Sequence, residues 1–230
     1  EVPVAESWSL GPGDWRQVDG ILAKADLLQG WAIVERVEGG SFSAYGVVND
    51  GGTNDGSFLE AASDAAAPGE IVVPVLVETP GFRTELILTN RGAAVAPLEL
   101  DYRESLSPSA GEGGRATVTL APREQRIVAD AFSWLRSLGI VAGSAGSAPR
   151  AGRLRVTGPS GAAGLWAAAR IVSPSSGGGA YGVFLPGARP APAYFTAPFG
   201  PDILPIIYGG GGGFVWKPVS ESNNRLVVLL

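Results

Sequence analysis

The 230-residue chain contains no cysteine, no histidine and no methionine. Those absences exclude disulfides, zinc fingers, thiolate-bound iron–sulfur clusters and any Ser-His-Asp triad. Lysine is nearly absent too: Lys24 and Lys217 are the only two, and the other cations are arginine. Charged residues make up 17 % of the chain, below the usual ~25 %. The net charge of −5 argues against a nucleic-acid partner, which requires a basic face. No apolar run approaches the ~20 residues that span a bilayer, so membrane insertion is not expected. No basic stretch followed by an apolar core opens the chain, so no signal peptide is expected there. The sequon N-x-S/T is missing as well.

What is abundant is small and apolar. There are 34 glycines and 18 prolines, and hydrophobic residues reach 45 %. A chain this apolar is not disordered. Few charges and many small residues predict an extracellular or cell-surface address. Short β-branched segments of period two recur at 71–78, 84–90, 97–104, 115–120, 125–128, 153–157, 165–172 and 180–185. Turn residues separate them, such as Pro80-Gly81, Arg91-Gly92 and Gly158-Pro159. Evenly spaced strands with such punctuation predict an antiparallel sandwich or barrel. Two short helices are predicted at 19–28 and 130–138, each opened by an aspartate cap (Asp19, Asp130) and closed near a glycine (Gly30, Gly139).

These helices expose an internal repeat. The run Leu10-Gly11-Pro12-Gly13-Asp14-Trp15-Arg16-Gln17-Val18 matches Leu120-Ala121-Pro122-Arg123-Glu124-Gln125-Arg126-Ile127-Val128. Gly30-Trp31-Ala32-Ile33-Val34 then matches Gly152-Arg153-Leu154-Arg155-Val156. Residues 42–48 match 165–171, and Gly56-Ser57-Phe58-Leu59 matches Gly182-Val183-Phe184-Leu185. Val73 to Leu76, with 84–88 after it, resembles Leu204 to Ile207 with 225–229 after it. Residues 70–188 therefore hold a complete unit. The other unit is split, with closing strands in 1–62 and opening strands in 195–230. The expected architecture is all-β: two antiparallel β-sandwich-like modules with short helical crossovers, one split between the N- and C-termini.

A bare apolar strand at 225–230 is an aggregation hazard and needs a partner. The termini can meet within one molecule. Alternatively, Arg225, Leu226, Val227, Val228, Leu229 and Leu230 of one copy can complete the region of Val2 and Val4 in the next, by head-to-tail strand addition. A third reading makes the chain a fragment of a longer repeat array. Sequence alone leaves these open.

The runs L-G-P-G-D-W-R-Q-V, G-W-A-I-V-E-R-V, F-S-A-Y-G-V-V-N-D-G-G-T-N-D-G-S-F and F-R-T-E-L-I-L-T-N resemble tandem β-sandwich repeat modules of large exported bacterial proteins. The resemblance covers most of the chain and implies structural or adhesive work beside other domains, not catalysis. In those modules the R-T-x-L-x-L-x-N strand precedes the L-x-P-G strand. Here the split unit departs from that order.

Candidate chemistry is sparse. Asp50, Asn54 and Asp55 sit in an Asn/Asp/Gly-rich loop and offer oxygen ligands suited to Ca²⁺, but the EF-hand spacing is missing and a turn explains the same residues. Otherwise no cofactor is expected. Asp101, Glu104, Glu35, Glu38 and Glu124 are candidate acids for a two-carboxylate glycosidase, although a solvated strand face accounts for them better. Gly209 to Gly213 lacks the Lys and Ser/Thr of a phosphate loop. Trp31 and Trp166 are expected in the core and Trp134 on the short helix. Trp15, Trp216, Tyr181 and Tyr194 are the aromatics to test as an exposed glycan platform. The expected function is that of a non-enzymatic extracellular structural protein that self-associates by strand exchange, as a filament or surface-assembly subunit. The alternative is a carbohydrate-binding or adhesion module.

Overall fold

A computed structural model describes residues 5–63, 69–106, 111–144, 146, 148–159, 164–188 and 225–229, with backbone alone at 62–63 and 225–229. The chain is all-β, in antiparallel sheets with one α-helix. The strands are β1 (Trp31–Glu35), β2 (Tyr45–Asn49), β3 (Gly56–Glu60), β4 (Ala62–Ser63), β5 (Glu70–Glu78), β6 (Arg83–Asn90), β7 (Ala96–Glu104), β8 (Gly113–Leu120), β9 (Gln125–Val128), β10 (Arg150–Thr157), β11 (Leu165–Pro174), β12 (Ala180–Pro186) and β13 (Arg225–Leu229). The helix α1 spans Ala131–Ser137.

Strands β5 to β12 build a sandwich of two four-stranded sheets, ordered β5-β10-β7-β8 and β12-β11-β6-β9. Alternation drives this arrangement, because one side of each strand must leave water. Ile71, Val73, Leu98, Leu100, Leu154 and Val156 of the first sheet meet Leu86, Leu88, Leu165, Ala167 and Ala169 of the second in one continuous core. Each fully buried aliphatic side chain here contributes roughly 1.5–3 kcal/mol. The edge strand β5 carries Pro74 at a bulge: Gly152 faces Leu76 and Leu154 faces Val73, leaving two residues opposite one. A proline there blunts an exposed edge.

Helix α1 forms where the sequence predicts it. The Asp130 carboxylate accepts the Ser133 N–H at 2.9 Å, and Gly139 closes the helix at φ +74°. Its Phe132 and Leu135 sink into the sandwich core. The first predicted helix does not form. Residues 19–28 hold only a 3-10 turn, Ala23–Ala25, with no buried residue. Asp19 is not its cap; the Asp19 carboxylate instead accepts a bond from the Gln17 amide at 2.6 Å. Gly20 takes φ +59°, which breaks the run. A helix this short persists only when an apolar face is buried, and this one has nothing comparable to the core beneath α1.

The remaining strands form two small sheets, ordered β1-β13-β4 and β2-β3. Among the described residues they do not close into a second full sandwich. They form a further layer over the outer face of the β12-β11-β6-β9 sheet. Trp31 and Ile33 of β1 pack there against Trp166, Ala168, Ile87 and Phe184. The sheet beneath is thus covered on both sides, so Ala167, Ala168 and Ala169 of β11 are all buried.

Candidate functional site

The region that could carry function is the pair of small sheets built from residues 31–63 and 225–229. Strand β13 runs antiparallel between β1 and β4, with Ile33 opposite Val227, Val34 opposite Leu226, and Ala62 opposite Val227 on the other side. The strand at the far end of the chain is therefore paired within the same molecule. Leu230, Val2 and Val4 lie outside the described residues, as do Trp216, Tyr194 and Gly209 to Gly213.

Register identifies what β13 is. In the complete unit Arg155 faces Val72 and Val156 faces Ile71. The repeat equates Ile33 with Arg155 and Val34 with Val156, so Val227 takes the place of Val72 and Leu226 that of Ile71. Ala62 pairs with Val227 as its counterpart Ala188 bridges Val72. The pairing of β13 with β1 and β4 thus has the same register as that of β5 with β10 and Ala188, which the sequence match of 225–229 to 84–88 does not give. The second hairpin agrees as well. Val47 faces Phe58 and Val48 faces Ser57, as Arg170 faces Phe184 and Ile171 faces Val183. The turn at 11–14 also matches that at 121–124: Asp14 accepts the Gly11 N–H at 2.8 Å, and Glu124 accepts the Ala121 N–H at 2.6 Å. Gly13 and its counterpart Arg123 are both left-handed, at φ +82° and +62°.

The acidic loop between β2 and β3 acts as a clasp. Asp50 Oδ1 accepts N–H bonds from Gly52 (2.9 Å) and Thr53 (3.0 Å), while Oδ2 reaches across to the Ala180 N–H at 3.0 Å. Asp55 accepts the Gly182 N–H at 2.7 Å, and the Thr53 hydroxyl donates to the Ala180 carbonyl at 3.0 Å. Asn54 contributes a left-handed backbone, φ +58°. Gly52 is needed, since a Cβ there would lie 2.7 Å from the Gly178 carbonyl oxygen. Beneath the clasp, Arg170 donates to Ser57 Oγ at 3.0 Å and pairs with Glu85 at 3.5 Å. Among the described residues no three acidic side chains gather as a metal cage. The loop's carboxylates are occupied by backbone donors.

The Gly52 N–H, then that of Thr53, hold the Asp50 carboxyl below its ordinary value against a smaller opposing effect of burial, with Ala180 adding to them. A depressed carboxylate stabilises above its unfolded pKa, and that support is lost as pH falls through the lower folded value. Asp50→Ala is therefore expected to lower hydrogen-exchange protection at Ala180 and Gly182 at neutral pH. Well below roughly pH 4, wild type and variant should exchange alike; a difference persisting there would refute the clasp.

The other candidate acids are structural or scattered. Asp101 pairs with Arg103 and Arg115, both at 3.0 Å. Glu124 bonds Arg126 at 2.7 Å. Glu104 is buried beneath Tyr102, whose phenol is pushed up by burial first and by Glu104 second. Glu35 and Glu38 lie at and beyond the end of β1. A depression of about 380 Å³ lined by Pro97, Glu99, Thr117 and Thr157 holds a single carboxylate. Among the aromatics, Trp166 is in the core, Trp31 and Trp134 are partly buried, and Trp15 and Tyr181 are exposed. Sequence reasoning missed the exposed pair Tyr45 and Phe58, stacked at 5.3 Å. Their diagonal placement follows from the hairpin register, which the repeat already encodes.

No family model, curated protein or solved structure matches this chain.

Proposed function

We propose that this is a non-enzymatic extracellular structural protein, related to repeat modules of exported bacterial proteins, that works by strand complementation. The observation that carries the reading is β13. A strand from the far end of the chain supplies the middle of a sheet whose other strands lie in residues 31–63. That strand closes the sheet in cis here. The same register can be made between copies by domain swapping, which links chains head to tail.

Light scattering after size exclusion, across a concentration series, tests the proposal. Wild type is expected to associate as concentration rises. Val227→Pro removes an N–H from a central strand and is expected to abolish association and the amide protection of β1. A strictly monomeric wild type overturns self-association. Glycan binding through Trp15 and the stacked Tyr45–Phe58 pair is the second reading, and a glycan array separates it from the first.

A further inference from the structure

We infer that the N-terminal half-unit is an acceptor for two consecutive strands of the β6–β7 type (83–104), one for each of its sheets, supplied by another repeat unit. This rests on the strand-complementation reading above and names the piece that is taken up. In the complete unit, β10 pairs with β5 on one edge and β7 on the other, and β11 pairs with β12 and β6. In the half-unit, β1 pairs with the β5 counterpart, β13, and β2 pairs with the β12 counterpart, β3. Among the described residues no strand is paired to the second edge of 31–34 or of 45–48. Those two edges are the seats of β7 and β6. The two strands are consecutive in the chain and lie in opposite sheets of the sandwich, so one continuous segment that crosses from sheet to sheet fills both.

The far side of the gap points the same way. In the complete unit β7 also pairs with β8, and β6 with β9. The repeat places residues 5–10 at β8 and residues 15–18 at β9. Neither segment forms a strand. Leu120 is 0 % exposed, whereas its counterpart Leu10 is 54 % exposed. Val118 is 9 % exposed and its counterpart Trp8 41 %. The turn joining these two segments is nevertheless already formed, with Asp14 bonded to Gly11. Residues 5–18 thus keep the turn that joins β8 to β9, and among the described residues no strand lies beside the two segments it connects. The same vacancy accounts for the collapsed first helix, because α1 rests on β6. The occupant must alternate as β6 does, with Leu86 and Leu88 turned inward, and must carry a neighbouring strand patterned like β7.

The test uses the full chain and a synthetic peptide with the sequence of residues 82–105. The peptide is expected to bind one to one and to blue-shift tryptophan emission as Trp8 and Trp15 are covered. Amide exchange should slow at least about tenfold across 5–18 and at β1 and β2. The same peptide carrying Leu86→Pro and Leu88→Pro should do none of this. Failure to bind overturns the inference. So does protection gained only within 70–188, which would mean that the peptide replaces the chain's own β6 and β7. Scattering by the chain alone reports self-association separately: a monomer that binds the peptide loses the proposed assembly and keeps the acceptor. An associating chain that ignores the peptide does the reverse.

Discussion

Replacing Glu104 with alanine is expected to cost the central sandwich about 3–5 kcal/mol, the usual range for removing one partner of a buried ion pair. The carboxylate lies at the end of β7, only 4 % exposed. Its Oε2 accepts the Tyr102 hydroxyl at 2.9 Å and Arg150 at 3.3 Å, and its Oε1 accepts the N–H groups of Ala151 at 3.0 Å and Leu106 at 3.2 Å. Alanine strands all four donors, and the Arg150 charge is itself largely buried. Buried donors left unmatched are more costly than the bonds were worth. Glu104→Gln keeps one acceptor oxygen and should lose roughly half as much. Denaturant midpoints at constant m value provide the comparison. A loss below about 1 kcal/mol for the alanine variant would mean that these donors find other partners.

Gly152→Ala is expected to be nearly as damaging, at about 3 kcal/mol, the upper end for overpacking in a close-packed interior. A Cβ at Gly152 would lie 2.3 Å from the Arg103 carbonyl oxygen and 2.6 Å from both Cε2 and the hydroxyl of Tyr102. The backbone oxygen belongs to the β7–β10 ladder and cannot retreat. The tyrosine is held by Glu104 and by an edge-on contact with Phe132 at 5.5 Å. Gly177→Ala is the control, since that loop position meets nothing closer than Ser175 Oγ at 3.8 Å. It should stay within about 0.5 kcal/mol of wild type. Equal midpoints for the two variants would show that the bulge between Gly152 and Leu154 absorbs the methyl group.

The sandwich of residues 70–188 was the legible part of the sequence. Its strands have one face to bury, so period two and turn residues place β5 to β12 to within a few residues. Asp130 and Gly139 mark α1 for the same local reasons. Residues 5–63 and 225–229 resist such reading because their local signals meet few of the tertiary partners that act on those of 70–188. Asp19 and Gly30 bracket the first predicted helix as Asp130 and Gly139 bracket α1, yet no core lies beneath to stabilise it. The match of 225–229 to 84–88 did not reveal the pairing of β13 with β1 and β4, because alternation alone does not state which edge a strand will meet. Glu70-Ile71-Val72-Val73 against Arg225-Leu226-Val227-Val228 is the better alignment, and only the pairing to Ile33 and Ala62 selects it. The Asp50 loop was legible as a turn. Its reach to Ala180 and Gly182 was not, because those partners lie some 130 residues away. One tertiary clue was available: Trp31 and Ile33 occupy the positions that Arg153 and Arg155 hold in β10. The exchange of arginines for apolar residues marks the sheet that is laid onto another rather than turned to water.

The placement of β13 also sets an order of events during synthesis. Every strand of the central sandwich lies between residues 70 and 188, so that body can fold once it leaves the ribosome. The β1-β13-β4 sheet has to wait until residues 225–229 are translated. Until then Trp166 and Ala168 lack the cover that sheet supplies, and a nascent chain halted before residue 225 carries that sticky face for as long as it is stalled.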